Sequence, residues 1–249
     1  MERPKLLPVH GVPMLDFIAR DWSLVESFKA RPGDVLIATY PKAGTTWTQE
    51  IVDLIQSGVD VEHCKRGPVY ERIVFMEWTG INFVMHRKGV EVLNDMPSPR
   101  TIKTHLPYQL MPSSFWDNDC KVIYIARNAK DNAVSAFHFN RMNKLHPEPG
   151  TWEEYLHRFM TGNVCWGSWH DHVTDWWNMR ERHRILYLFF EDMKEGHRPM
   201  LNSSQGCATH ERAWDGTRVT RLHGGRSQQG GGNPHSQWGI PLAVPAVAT

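Results

Sequence analysis

"DVLIATYPKAGTTWTQEIVDLI", from Asp34 to Ile55, runs from a β-branched apolar stretch through a short loop into an amphipathic one, and that order limits the fold sharply. A continuous apolar run suits a strand covered on both faces, the habit of parallel sheets with helical crossovers. Three further runs of this kind occur, "RTIKTHLP", "CKVIYIAR" and "RILYLFFED". The expected fold is therefore α/β, a parallel sheet flanked by helices with right-handed crossovers. In the first helix Thr45 or Thr46 is the expected cap, with Trp47, Ile51, Leu54 and Ile55 on one face and Gly58 as the stop. "NAKDNAVSAFHFNRMNKL" predicts a second helix from near Asn128, with Ala133, Val134, Phe137 and Met142 as its apolar stripe. "PEPGTWEEYLHRFMTG" predicts a third from near Thr151, with Glu153 and Glu154 favourable at its positive end.

The chain has 249 residues, 41% of them hydrophobic, enough for one α/β domain. With 28 basic against 27 acidic side chains the formal charge is +1, so no global field draws it to nucleic acid or to an anionic membrane. It lacks a signal-peptide pattern and any uncharged apolar run of about 18 residues, so a soluble cytoplasmic protein is expected. Four cysteines without a C-x-x-C pair suit a reducing compartment, and fourteen histidines include no H-E-x-x-H, so no metal is expected. Composition changes after Glu195: lysine is absent and "LHGGRSQQGGGNPHSQ" keeps no period. Residues 1–195 read as the domain and 196–249 as a disordered tail.

Chemistry-bearing residues gather at the strand ends. After the first run, "TYPKAGTTW" places Ala43, Gly44, Thr45 and Thr46 at a helix start, where unpaired N–H groups and the helix dipole favour an oxyanion. Gly44 allows close approach, and Lys42 adds a mobile charge. An ordinary turn with an exposed lysine has the same spacing. In "KTHLP", Lys103 and His105 lie two apart on a strand and share a face toward the ligand crevice of an open α/β sheet. A neutral imidazole suits proton removal from a hydroxyl, and the ammonium suits charge on a transferring group. In "ARNAKDNAVSAF", Arg127 has the fork for a phosphate and Ser135 lies two helical turns on; a surface ion pair and a neutral helix position explain them equally well.

In order and spacing, "TYPKAGTTW", "KTHLP", "ARNAKD", "HPEPGTW" and "LYLFFEDMKE" resemble the vertebrate cytosolic sulfotransferases, near the phenol sulfotransferase branch, from about Val35 to Glu195. That resemblance implies a fold similar to P-loop nucleotide kinases and transfer of a sulfuryl group from 3′-phosphoadenylyl sulfate (PAPS) to a small-molecule hydroxyl or amine. It implies that Lys42 through Trp47 hold the 5′-phosphosulfate, with Trp47 near the adenine. Arg127 and Ser135 would then hold the 3′-phosphate, and His105 would be the base beside Lys42 and Lys103. Lys103, Thr104, His105, Phe75 and Phe139 would meet the acceptor, with Trp78 and Phe83 as further aromatic candidates. A sulfuryl group carries less charge than a terminal phosphoryl group, which fits a loop without the magnesium-binding G-K-[ST].

Three departures stand out. Phe190 replaces the family's usual tyrosine, and Ala136 replaces an aromatic after Ser135. Beyond Glu195 no counterpart is found for the family's threonine-serine-phenylalanine segment, its R-K-G-x-x-G-x-W loop or its dimerisation segment, so a homodimer, usual in the family, loses that support. The chain is thus expected to be C-terminally incomplete, with residues 196–249 non-homologous. A catalytically silent truncated isoform is the alternative to an active enzyme, and a small-molecule kinase ranks lower.

Overall fold

β3 (Val35–Thr39) is the axis of the molecule: every one of its residues is buried, and it pairs in parallel with β5 (Thr101–Thr104) on one side and β6 (Lys121–Ala126) on the other. β4 (Val74–Phe75) and β7 (Ile185–Phe189) extend the sheet to the order β4-β5-β3-β6-β7, all parallel. β1 (Leu6–Val9) and β2 (Val12–Leu15) form a separate antiparallel hairpin. Its two-residue turn needs positive φ twice, supplied by His10 at 46° and Gly11 at 85°. In this computed structural model residues 2–80 and 86–195 are described. The expected tail, residues 196–249, and Phe83 lie outside them.

Alternate strand residues point to opposite faces, and the core divides accordingly. Leu36, Ala38, Ile102, Val122 and Tyr124 enter the larger cluster, whereas Val35, Ile37, Ile123 and Ile125 join Val52 and Ile73 on the other face. That second face is covered by α1 (Thr45–Gln56). α2 (Ala129–Met142) and α3 (Trp152–Met160) form a third cluster around Phe137, Tyr155 and Phe159. α4 (Trp169–Met179) sends the fully buried Trp176 into the larger cluster. α5 (Phe190–Glu195) follows β7 directly.

At the foot of β3, the fully buried Asp34 and Arg100 form an ion pair of 2.5 Å. Arg100 also donates to the carbonyls of Leu93 and Lys29, so the desolvated charges are satisfied and the starts of β3 and β5 are fastened together.

Several local expectations need correction. Gly44, not a threonine, is the N-cap of α1, in a left-handed conformation with φ 102°. Thr45 turns its hydroxyl inward to Thr39 Oγ1 at 2.6 Å, and Thr46 is exposed. The buried face of α1 carries Thr48, Gln49, Ile51, Val52 and Asp53 rather than Leu54 and Ile55, because Gln49 donates to the Ile73 carbonyl and Asp53 binds Arg66 and Arg72. In α2, Val134 and Met142 are 45% and 69% exposed; Ala136 replaces them on the face that packs on α3. Gly58, with φ 69° just after the end of α1, and the Thr151–Glu154 capping box of α3 agree with the sequence. Among the described residues no helix is long and apolar enough to cross a membrane.

Candidate active site

The carboxyl ends of β3, β5 and β6 deliver three segments to one sheet edge. The loop after β3 turns its carbonyls away from α1: Asn132 Nδ2 donates to Pro41 O at 2.7 Å and Arg127 Nη1 to Lys42 O at 3.0 Å. Lys42 and Gly44 take positive φ, 70° and 102°. No side chain caps α1, so its first-turn N–H groups open onto the edge with the helix dipole behind them. A Cβ at Gly44 would lie 2.6 Å from the Phe190 ring, so this cradle admits glycine alone.

His105 stands at the end of β5, 7% exposed. Its Nδ1 is 2.9 Å from the Thr39 carbonyl oxygen, which only accepts, so Nδ1 carries the proton and Nε2 keeps its lone pair. Burial first, then the neighbouring Lys103, holds this imidazole well below its ordinary pKa, in the neutral form a base requires. Phe75 and Trp166 flank the ring edge-to-face at 5.0 and 5.3 Å.

Two ammonium groups accompany it. Lys42 Nζ lies 4.1 Å from the Phe139 ring centre and Lys103 Nζ 4.0 Å from that of Phe75. Burial lowers both, with Arg127 contributing at Lys42; Lys103 falls to about 8, Glu77 opposing the shift and Lys42 adding to it. Phe75 and Phe139 thus stand under the two lysines, while Trp78, 7% exposed and stacked on Phe75 at 5.7 Å, belongs to the core.

Two buried groups that sequence reasoning did not single out hold the His105 backbone. Glu77 accepts from His105 N–H at 2.6 Å, from Thr104 Oγ1 at 2.9 Å and from Trp166 Nε1 at 3.2 Å. Burial raises its carboxyl to about 7 against those hydrogen bonds. On the other side His172 Nε2 donates to His105 O at 3.0 Å, and Tyr124 O–H therefore donates to His172 Nδ1 at 2.7 Å. Thr104, expected at the acceptor, is fully buried against Glu77, one step along the strand from the face of Lys103 and His105. The lone acid in "FMEWTG" was the one available signal for Glu77.

Beyond the loop, the Arg127 guanidinium lies 4.6 Å from the Phe190 ring centre, and Phe190 meets Trp47 edge-to-face at 5.7 Å. Arg127 Nε and Asn132 Oδ1 are buried without a partner among the described residues. Such orphaned groups are costly unless a ligand meets them. Ser135 is half-buried on α2 and makes no hydrogen bond within the described residues, so Arg127 is brought to the loop and Ser135 is not bonded to it. His146, buried, faces Phe139 at 5.4 Å and Trp166 at 5.9 Å, completing a wall that no local sequence signal marked.

A parallel α/β sheet with an uncapped helix start after its central strand, and a neutral imidazole near Lys103 at the end of the neighbouring strand, has the layout of the P-loop-like class of folds. The sulfotransferase domain family matches residues 32–203, and the chain belongs to it. It is similar to Sulfotransferase 1 family member D1 of Mus musculus, 60% identical over 195 residues, 78% of this chain and 64% of the relative. Sulfotransferase 1C2 of Homo sapiens is 54% identical over 190 residues, 76% of this chain and 63% of the relative. The chain therefore spans just under two thirds of such relatives' length. Among solved structures, mouse sulfotransferase SULT7A1 complexed with PAP superimposes with a TM-score of 0.60 and 33% identity, over 76% of this chain and 63% of that one. Retinol dehydratase in a complex with retinol and PAP gives 0.67 and 26%, over 75% and 62%.

Proposed function

We propose that the chain transfers a sulfuryl group from PAPS to the hydroxyl, or amine, of a small aromatic acceptor. The observation that carries this reading is the His105 tautomer: Nδ1 is committed to Thr39, so Nε2 is free to take a proton. The donor supplies an activated sulfur–oxygen bond to the bridging oxygen of its phosphosulfate. His105 Nε2 accepts the acceptor's hydroxyl proton while the acceptor oxygen bonds to sulfur and the sulfur–bridging-oxygen bond breaks. Lys42 neutralises the charge left on the bridging oxygen, and Lys103 the charge spread over the transferring group. Phe75, Phe139, Trp166 and His146 offer flat apolar surface to a phenol. The open N–H groups of α1 and the unpartnered N–H at Arg127 Nε suit the phosphate-bearing donor. The residues that would hold it are Lys42 to Trp47 and Arg127, with Ser135 able to contribute its free hydroxyl.

A second reading, a catalytically silent member of the family, draws on Phe190. Its ring covers Gly44 and one face of Arg127 where the resembling enzymes have a tyrosine hydroxyl. Calorimetric titration with 3′-phosphoadenosine 5′-phosphate separates the two: micromolar binding supports the transferase, and no heat of binding supports the silent form.

A further inference from the structure

Arg3 reaches from the N-terminal segment to the loop that carries His146. α2 ends at Met142, where the last carbonyls of a helix lack partners and carry its negative end. Arg3 Nη1 donates to Asn140 O at 2.8 Å, to Asn143 O at 3.1 Å and to His146 O at 3.1 Å. Its Nε meets Glu148 Oε2 at 2.7 Å. Three carbonyls spread over the end of α2 and the following loop therefore converge on one guanidinium, which is 19% exposed. The loop is wrapped around that cation on one side, while Leu145 and His146 pack inward. Under it lies a cavity of about 180 Å³ lined by Leu6, Asn140, His146, Tyr155, Arg158 and Cys165, among others. The His146 ring makes no hydrogen bond among the described residues, so its placement against Phe139 and Trp166 follows from its backbone.

Trp166, the neighbour of His146 in that wall, is tied to the same N-terminal segment. Trp166 N–H donates to Pro13 O at 2.9 Å, and Val12 packs within 3.2 Å of the Cβ position of Gly167. Arg3 ahead of β1 and Val12 and Pro13 in β2 thus hold the two segments that carry His146 and Trp166, rings in contact at 5.9 Å in one wall.

We propose that Arg3 is a positioning residue: by gathering the carbonyls of Asn140, Asn143 and His146 it sets the His146 wall, and with it the fit of an aromatic acceptor beside His105. The acceptor part rests on the transferase reading above, whereas the latch itself does not.

The test is amide hydrogen exchange by mass spectrometry on the full chain, with Arg3→Ala, Arg3→Lys and Glu148→Gln. In Arg3→Ala, residues 140–149 exchange about tenfold faster while peptides from β3 and β6 keep their rates. Arg3→Lys, which keeps the charge at the helix end, recovers part of the protection, and Glu148→Gln changes it less than about threefold because Glu148 is 66% exposed. Steady-state kinetics with a simple phenol then show an acceptor KM raised about tenfold in Arg3→Ala with kcat within about twofold, the mark of lost binding rather than lost chemistry. Unchanged exchange at 140–149, or acceleration spread equally over the sheet, overturns the latch. A fall in kcat at constant KM overturns its role in acceptor fit. The exchange needs neither donor nor acceptor, so failure of the transferase reading shows separately, as absence of turnover in the unsubstituted chain.

Discussion

Thr39 O accepts from His105 Nδ1 at 2.9 Å, and the same residue's Oγ1 lies 2.6 Å from Thr45 Oγ1. The last residue of β3 therefore orients the base through its backbone and touches the anion loop through its side chain. This separates two variants. His105→Ala removes the proposed base and should lower kcat by roughly 10²–10⁴, the usual worth of a general base. Thr39→Val keeps the carbonyl and should lower kcat no more than about tenfold, which single-turnover kinetics with a phenol will read.

Lys103 titrates at about 8, lowered mainly by burial. Its ammonium is lost as pH rises through that value, so kcat/KM should fall on the alkaline side with a midpoint near 8. An acid limb set by His105 as the proposed base should lie well below 6.5. Lys103→Arg should remove the alkaline limb, since a guanidinium keeps its charge; a limb that stays near 8 in this variant would assign it to another group.

Gly44→Ala should abolish donor-side binding without unfolding the sheet. The new methyl meets the Phe190 ring at 2.6 Å on a residue whose φ is 102°, so the loop must move. Phe190→Tyr should instead tighten 3′-phosphoadenosine 5′-phosphate by about tenfold if its hydroxyl reaches the phosphate, as a hydrogen bond to a charged group is worth ~1.5–3 kcal/mol. Calorimetry on both variants checks the pair.

Acid should destabilise the fold before it reaches the carboxylate range. Burial holds His146 and His172 neutral, each at about 4, so their contribution is complete above the unfolded value of about 6.5 and is lost as pH falls toward 4. Glu77, raised to about 7, works oppositely: its protonated form favours the native state at low pH, and that advantage fades as pH rises. Two histidines against one carboxyl leave a net gain of at least about 2 kcal/mol between pH 4.5 and 6.5. Denaturant midpoints across that range measure it, and a flat profile would mean these groups are hydrated in the native state.

Four of the five parallel strands were legible from apolar or β-branched runs: β3 and β6 are buried on both faces, whereas β5 alternates and β7 is only half-buried. β4 has only two paired residues, and the hairpin contains Pro8 and Pro13, so neither carries a strand pattern. Lys42, Lys103, His105 and Arg127 lie at or just beyond strand ends, where an open α/β sheet directs attention. Glu77, His146, Trp166 and His172 could not, since their meaning lies in partners distant along the chain; Glu77 and the His105 N–H are 28 positions apart. Helix faces were misjudged where polar side chains such as Gln49 and Asp53 are buried by specific partners, a cost that periodicity does not register.

The most direct test is transfer of labelled sulfur from PAPS to a simple phenol by the purified 249-residue chain, run beside His105→Ala. A labelled sulfate ester formed without added metal, and reduced at least about a hundredfold in the variant, is the result expected of a positioned base. Equal transfer by both chains would contradict the role of His105, and no transfer by either would contradict the proposed activity.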